Sequence, residues 1–160
     1  MHQLKPLVEL ARTSLYQRLN EHGITDPVII RIRPVRAPTG LACYRSFSQF
    51  QAKPIIGIDS DFDQQITDDE PLTHTAVTQA LRETLYHEYG HVICEMAKWG
   101  ETKLQTNTKP LKNLIAGTGL SEEDFCEALM RFWRGWLNVG DPSPSRFKRI
   151  LTNYRKLVFQ

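Results

Sequence analysis

The segment LRETLYHEYGHVICEMAKWG, residues 81–100, combines the apolar spacing of a helix with the pattern His-Glu-x-x-His at residues 87–91. Apolar residues three, four or seven positions apart place one helix face against a core. These residues are Val77, Leu81, Leu85, Val92 and Met96. We therefore predict one long helix over residues 73–99, ended by Gly100.

The chain before this helix predicts a different organisation. Apolar residues at helical spacing favour a first helix over residues 3–22, stopped by Gly23. Three short strand candidates follow, PVIIRIRPV (27–35), LACYRSFSQF (41–50) and PIIGIDS (54–60). A small antiparallel or mixed sheet is the simplest arrangement for them.

After residue 100 the sequence again favours helices. Residues 101–120 are polar and contain Pro and Gly, which predicts a long connection with at most a short helix around 110–116. Ser121, with Asp124 three positions later, resembles a helix cap and predicts a helix to about Leu137. Prolines 142 and 144 precede a last helix at about 145–158. The predicted fold is α+β, in one domain covering residues 1–160.

Composition and charge limit the classes of function. With 20 Lys+Arg against 18 Asp+Glu, net charge favours neither a nucleic-acid nor a membrane partner. Three cysteines without framework spacing fit a reducing compartment. The sequence lacks a signal-peptide pattern and a membrane-spanning run, so we expect a cytoplasmic protein, with export by a signal-less route as the alternative.

Two segments nevertheless carry one sign of charge. Residues 59–70 contain six acids and no base, and residues 142–160 contain five bases and no acid. An acidic loop and a solvated basic helix face explain both. The alternative is that the basic C-terminal helix docks on an acidic partner or nucleic acid.

His87 and His91 lie one helical turn apart, so their imidazoles can converge on one ion. Neutral imidazole is a good zinc ligand, and Glu88 can reach an activated water without binding the metal itself. The pattern therefore predicts a zinc site with Glu88 as its general base. Metal-free histidines are the alternative.

A catalytic zinc site needs a third protein ligand. His2, His22 and His74 all precede the motif, so we looked for the third ligand among the acids and thiols around and after it: Glu95, Glu101, Glu122, Glu123, Asp124, Glu127, Asp141, Cys94 and Cys126. Glu123 and Glu127 share one flank of the helix that begins after Ser121. We assign Glu123 as the ligand and Glu127 as a carboxylate that orients a histidine. The reversed assignment, with Glu127 or Glu122 as the ligand, remains open.

The motif His87-Glu88-x-Gly90-His91, followed after 31 intervening residues by Glu123-x-Phe125-x-Glu127, resembles the gluzincin metallopeptidases. The resemblance is to the branch with minimal single-domain gluzincins, ImmA/IrrE-type peptidases and the anthrax lethal factor catalytic domain. It covers roughly residues 54–137 and implies a zincin-like fold in which a small sheet is followed by an active-site helix and a glutamate helix. The sequence pattern adds an N-terminal helix, three strands for the sheet and a C-terminal helix.

The resemblance also implies roles for residues. His87, His91 and Glu123 would bind Zn²⁺, Glu88 would act as general base and acid, and PIIGIDS or LACYRSF would be the edge strand that holds an extended peptide. Some members carry an oxyanion-stabilising tyrosine seven residues before the ligand glutamate, where this chain has Ala116. Tyr44 and Tyr154 are candidates for that role, which stays unassigned.

The expected activity is zinc-dependent hydrolysis of a peptide or of one specific protein target. The basic segment 142–160 would then select an acidic partner or cover the cleft as a lid. A non-catalytic interaction protein, in which zinc only joins two helices, is the alternative from another class. Cys94 is the thiol that would close such a structural site. Trp99, Trp133 and Trp136 are predicted to be core residues rather than a base-stacking platform.

Overall fold

A computed structural model describes residues 4–25, 29–33, 43–47, 54–59, 74–104 and 107–158 of the chain. Helices and a small sheet make up these residues, so the predicted α+β class is confirmed. In chain order the elements are α1 (Leu4–Glu21), β1 (Ile29–Arg33), β2 (Cys43–Phe47), β3 (Pro54–Asp59), α2 (His74–Leu104), α3 (Lys109–Ala116), α4 (Glu122–Arg134) and α5 (Pro144–Val158).

Helix α1 follows its sequence pattern closely. Its apolar face is buried, as the spacing predicts: Leu4, Leu7, Val8, Ala11, Leu15 and Leu19. The helix ends at Glu21, and two residues later Gly23 adopts a φ of +74°, in the left-handed region that favours glycine. This turn lets the Ile24 amide donate to the Leu19 carbonyl at 2.9 Å, which satisfies one of the last carbonyls of the helix.

The described strands form a mixed sheet in the order β1-β3-β2. β3 pairs with β1 in parallel and with β2 antiparallel. Ile56 and Ile58 of β3 are fully buried. Of the two edge-strand candidates, PIIGIDS is excluded, because β3 is hydrogen-bonded on both sides, and LACYRSF, which contains β2, remains. Among the described strands, β2 is an edge, and it contacts α2.

Helix α2 is the centre of the fold. It packs against α1, α4 and the sheet, and the predicted apolar stripe from Val77 to Met96 is buried. The prediction that Gly100 ends this helix is wrong, because α2 continues to Leu104. A glycine commonly ends a helix by turning the chain into the left-handed conformation, whereas inside a helix it costs about 1 kcal/mol.

Helix α4 starts as predicted and ends early. The Ser121 hydroxyl accepts a hydrogen bond from the Asp124 amide at 3.2 Å, which confirms the cap. The predicted end at Leu137 is wrong, because Gly135 adopts φ +81° and closes the helix after Arg134. The chain leaves the helical register there. Trp136 is consequently 49% exposed, so the prediction that it is a core residue is wrong for this tryptophan, whereas Trp133 is buried.

Helix α5 is an integral part of the core. It packs on α2, α3 and α4 through a buried face made of Phe147, Ile150, Leu151, Tyr154 and Leu157. Lys148, Arg149, Arg155 and Lys156 lie on its exposed side. The helix therefore cannot be a detachable lid, because its removal would expose this apolar face.

Some predictions fall outside the described residues. They concern the acidic segment at 60–70 and the side chains of Tyr44, Trp99 and Glu101. Within the described part of the chain, every helix is too short or too polar to cross a bilayer.

Candidate metal centre

His87 and His91 lie side by side on α2, where it faces the N-terminal half of α4. Their ring centroids are 5.1 Å apart, as expected for residues one helical turn apart. The side chains are 17% and 12% exposed. Both imidazoles are therefore largely desolvated, with their edges at the surface between the two helices.

The close approach of the two helices depends on Gly90. A Cβ atom at this position would lie 2.8 Å from the Cys126 sulfur, 2.9 Å from its Cα and 3.0 Å from its Cβ. Carbon atoms normally approach to about 3.5–4.0 Å. Only glycine lets α2 and α4 pack this closely, and that packing brings the two histidines to the acidic side chains of α4.

One nitrogen of each histidine faces a supporting carboxylate. His91 Nδ1 is hydrogen-bonded to Glu122 Oε2 at 2.6 Å, and Glu122 Oε1 also accepts from Lys98 Nζ at 2.6 Å. Burial would raise the pKa of Glu122, but the hydrogen bonds from Lys98 and His91 outweigh it and hold that pKa below its ordinary value. In a neutral His91 ring this carboxylate would favour the tautomer that carries the proton on Nδ1 and leaves Nε2 available to a metal.

His87 repeats this arrangement with another glutamate. Its Nδ1 lies 3.0 Å from Glu127 Oε1. The ring N–H does not point along this line, so the contact is an electrostatic pair rather than a hydrogen bond, and Nδ1 is buried without a hydrogen-bond partner among the described residues. A small rotation of the ring or of the half-exposed Glu127 side chain would complete the bond. Glu127 thus lies where the sequence placed a histidine-orienting carboxylate.

The other nitrogens of the two histidines converge on Glu123. His91 Nε2 lies 2.8 Å from Glu123 Oε1, and His87 Nε2 lies 3.2 Å from Glu123 Oε2. Two atoms that each bind one zinc ion at about 2.1 Å, at the tetrahedral angle, are roughly 3.4 Å apart. Small movements of the 68%-exposed Glu123 side chain would reach that spacing, so Glu123 could contribute an oxygen to a metal ion bound by the two histidines.

Glu88 is the fourth carboxylate of the cluster and lies deepest. It is buried, and its Oε2 is 3.8 Å from His87 Nε2 and 3.9 Å from His91 Nε2. At these distances Glu88 Oε2 makes no hydrogen bond with either nitrogen. Glu88 faces the region between the two Nε2 atoms from the α2 side, whereas Glu123 faces it from α4.

His87, His91 and Cys126 form a buried group that could hold a metal ion, with their ligand atoms all within 4.8 Å of one another. A cysteine binds metal as the thiolate. The pKa of the Cys126 thiol is strongly raised by its hydrogen bond with Cys94 and by burial. Without a metal the neutral thiol of Cys126 is therefore favoured, whereas a bound divalent cation would stabilise its thiolate.

The remaining candidate ligands lie elsewhere. Asp141 makes a two-point contact with Arg131, at 2.8 and 2.9 Å. Asp124 is exposed in the first turn of α4. Tyr154 is buried with its hydroxyl 2.8 Å from that of Tyr89, so it belongs to the core and not to the metal centre. The oxyanion-stabilising residue stays unassigned.

Sequence reasoning missed two contributions to this centre. Glu122 was weighed only as an alternative ligand, yet it contacts His91 and Lys98. The signal available for it was its position beside Glu123 in the first turn of α4. Gly90 was noted only as part of the motif. Its steric role depends on Cys126, 36 positions later, and no local pattern shows that contact.

The chain was also compared with known proteins in three ways. No protein-family model, curated protein or solved structure matches it.

Proposed function

We propose that this protein is a zinc-dependent peptidase of the gluzincin type with a zincin-like fold. His87, His91 and Glu123 would hold one zinc ion, and Glu88 would be the general base and acid. Glu122 and Glu127 would orient the two histidines from behind. Peptide bonds of a peptide or of a specific protein target are the proposed substrate.

The observation that carries this proposal is the contact between His91 Nε2 and Glu123. His91 Nδ1 is hydrogen-bonded to Glu122, so in the neutral ring Nε2 would present a lone pair to a carboxylate oxygen 2.8 Å away. Two acceptors at this distance repel each other unless a positive charge, a proton or a metal ion, lies between them. His87 Nε2, 3.2 Å from the same carboxylate, directs a second nitrogen to the same region. A divalent cation satisfies all three groups.

The position of Glu88 supports catalysis rather than structural binding alone. His87, His91 and Glu123 would hold the zinc ion, which would supply a Lewis acid for the scissile carbonyl and for the attacking water. Glu88 Oε2 lies nearly equidistant from both Nε2 atoms, so it can take the proton of a water held there. The same carboxyl group then delivers that proton to the leaving amine.

The sheet offers a way to hold the substrate. β2 is an edge among the described strands and contacts α2, the helix that carries the motif. An extended peptide could add to this edge through backbone hydrogen bonds, with its scissile bond directed to the metal centre. β3 cannot play this part because both of its sides are already paired.

Zinc stoichiometry by native mass spectrometry tests the ligand assignment. We expect one zinc per native chain, loss of zinc in Glu123→Ala, and retention of most zinc in Glu127→Ala and Cys126→Ala. Absence of zinc from the native protein, or zinc binding that is indifferent to Glu123, would refute the assignment.

Turnover tests the role of Glu88. With a mixed-sequence peptide library as the probe, cleavage sites can be detected by mass spectrometry. Glu88→Gln should retain zinc and lose roughly two orders of magnitude or more in turnover, because general acid–base catalysis contributes about that much. Zinc retention shows that the variant is folded at the site. Undiminished cleavage would contradict the mechanism.

A second candidate function rests on the His87, His91 and Cys126 group. If Cys126 joined Glu123 and the histidines, four protein ligands would close the site, as in structural zinc centres. The protein would then be a non-catalytic interaction or regulatory protein in which zinc stabilises the packing of α2 on α4. Loss of zinc in Cys126→Ala, together with absence of peptide cleavage, would favour this function over the peptidase.

Helix α5 offers a route to target selection. Its exposed side carries Lys148, Arg149, Arg155 and Lys156, and its buried side belongs to the core. We propose this surface as a docking site for an acidic segment of the target, with nucleic acid as the alternative. Charge substitutions on the exposed side test this without disturbing the core, whereas deletion of the helix would unfold the protein.

A further inference from the structure

A second concentration of charged side chains lies between α1, α2 and α4, away from the metal centre. Here the structure has a cavity of about 290 Å³ lined by polar side chains, among them Arg18, Arg82 and Arg134. Arg82 precedes His87 by five residues, so the two side chains leave α2 about 140° apart. The cavity therefore opens on a different side of α2 from the two histidines.

Two of the three arginines are held by neighbouring groups. Arg18 lies 3.3 Å from both carboxylate oxygens of Glu21 and is also hydrogen-bonded to Tyr86. Arg134 Nε lies 3.3 Å from Glu83 Oε1, and its guanidinium group stacks 4.9 Å above the Trp136 ring. These contacts fix the two guanidinium groups in place and partly neutralise them.

Arg82 and Arg134 each have a buried Nε atom without a hydrogen-bond partner among the described residues. Arg134 Nε is nevertheless paired with Glu83 Oε1 at 3.3 Å, so among the described residues Arg82 is the arginine of this cavity without an ion pair. An unpaired buried N–H of a charged group is costly, because the group has lost water without gaining a replacement. The cost is increased by two further guanidinium groups at the same cavity. An anion in the cavity would offset this concentration of positive charge.

The charge of the lining indicates the kind of anion. Three arginines and one glutamate line the cavity, and that glutamate is already paired with Arg18. One arginine satisfies a planar carboxylate by itself, whereas guanidinium groups from three helices suit an anion with several acceptor oxygens. Ser14 and Gln17 add uncharged polar groups from α1. A phosphate group has the charge and the acceptors that this lining requires.

We propose that this cavity is a binding site for the phosphate group of a small molecule, with Arg82 as its principal ligand and Arg18 and Arg134 as supporting ligands. The cavity is at the lower end of the size of small-molecule sites, which fits a small phosphorylated compound rather than a folded partner. The site is independent of the proposed peptidase activity. Through α2 and α4 it is nevertheless built on the same two helices as the metal centre.

Isothermal titration of inorganic phosphate into the full-length protein, at low ionic strength, tests the proposal. We expect saturable binding of one phosphate per chain and binding weakened roughly tenfold or more in Arg82→Gln, since a charge-assisted hydrogen bond is lost. The matched control is Arg149→Gln, which removes the same charge from the exposed side of α5 and should bind like the native protein. Glu123→Ala should also bind phosphate normally.

The other outcomes would overturn the proposal. Absence of saturable binding, or native-like binding by Arg82→Gln, would exclude the site. Equal weakening in Arg149→Gln would mean nonspecific attraction to positive charge. Loss of phosphate binding in Glu123→Ala would place the anion at the metal centre instead.

Thermal unfolding without phosphate provides a second readout. If Arg82 is held for an anion, Arg82→Gln should unfold at the same temperature as the native protein or higher, because an unpaired charge is removed. Added phosphate should then raise the Tm of the native protein but not that of the variant. A lower Tm for Arg82→Gln without phosphate would show that Arg82 stabilises the fold, and would contradict the proposal.

Discussion

The substitution Gly90→Ala tests whether close packing of α2 on α4 assembles the metal centre. The added Cβ would lie 2.8 Å from the Cys126 sulfur and 2.9 Å from the Cys126 Cα. Normal carbon contacts of about 3.5–4.0 Å require the helices to move apart by roughly 0.5–1 Å at this point. Because one of the clashing atoms belongs to the backbone of α4, a change of side-chain rotamer cannot relieve the overlap.

The expected effect on stability is a balance of two contributions. Alanine favours the helix over glycine by about 1 kcal/mol, whereas overpacking costs about 1–3 kcal/mol. The free energy of unfolding should therefore fall by about 0–2 kcal/mol. Zinc affinity should fall more clearly, by roughly 10–100-fold, because His87 and His91 lie on one helix and Glu123 on the other.

Competition with a chromophoric chelator measures zinc affinity, and urea unfolding measures stability in the same variants. Cys126→Ala is the comparison variant, because it removes the sulfur but leaves the backbone of α4 in place. The double variant Gly90→Ala/Cys126→Ala should still bind zinc weakly. Native zinc affinity in Gly90→Ala would refute the argument. Full recovery in the double variant would show that the sulfur alone limits the approach.

Three further predictions concern groups outside the proposed ligands. Burial lowers the pKa of His22 below its ordinary value of 6.5, so the unfolded chain binds the proton more readily than the folded chain. The free energy of unfolding therefore decreases as the pH falls below 6.5. In urea unfolding between pH 7 and pH 5, His22→Gln should make this decrease smaller. Arg131 lowers the pKa of Asp141 below its ordinary value of 3.8, so this pair stabilises the fold fully above pH 3.8 and loses its stabilising effect as the pH falls below that value. Asp141→Asn should lower the free energy of unfolding by about 1–3 kcal/mol at pH 7. An unchanged unfolding midpoint would show that the ion pair does not stabilise the fold. Ser121→Ala removes the acceptor for the Asp124 amide and should cost about 1 kcal/mol, whereas Ser121→Asn should restore most of it.

The helices could be predicted because their signals are local. The buried face of α1, the stripe from Val77 to Met96 and the Ser121 cap are each set by residues within one or two turns. The ends of α2 and α4 were predicted wrongly because glycine occurs both at helix ends and inside helices. Gly135 turns into the left-handed conformation and Gly100 remains helical, and composition alone does not distinguish these outcomes.

The sheet order could not be predicted for a different reason. Three short apolar segments allow several orders, and the strand that occupies the centre is decided by packing against α2 and by pairing between distant residues. PIIGIDS, which carries no basic residue, takes the central position, where both of its edges are paired. Among the described strands the edges are β1 and β2, whose sequences both include arginine.

In the candidate metal centre, too, some features follow from local sequence and others from contacts between distant residues. Acids in the first turn of α4 are favoured by the helix dipole, which accounts for Glu122, Glu123 and Asp124 without any ligand. The dipole does not account for Glu127, which is one turn further along, nor for the different directions of these side chains. Glu122 and Glu123 face imidazole nitrogens, whereas Asp124 is exposed.

The directions in which these carboxylates and imidazoles point, rather than the number of acids in α4, therefore support the proposed function. Each histidine has one nitrogen beside a carboxylate that can hold its N–H, and its second nitrogen points at the shared Glu123 carboxylate. If these acids served only to cap α4, nothing would require each histidine to have one nitrogen beside Glu122 or Glu127 and the other beside Glu123. The proposed cation between the Nε2 atoms would account for this division, because metal binding requires unprotonated Nε2 atoms, an anionic third ligand and fixed rings. Glu88, held 3.8 and 3.9 Å from these nitrogens, adds a base that a purely structural centre would not require.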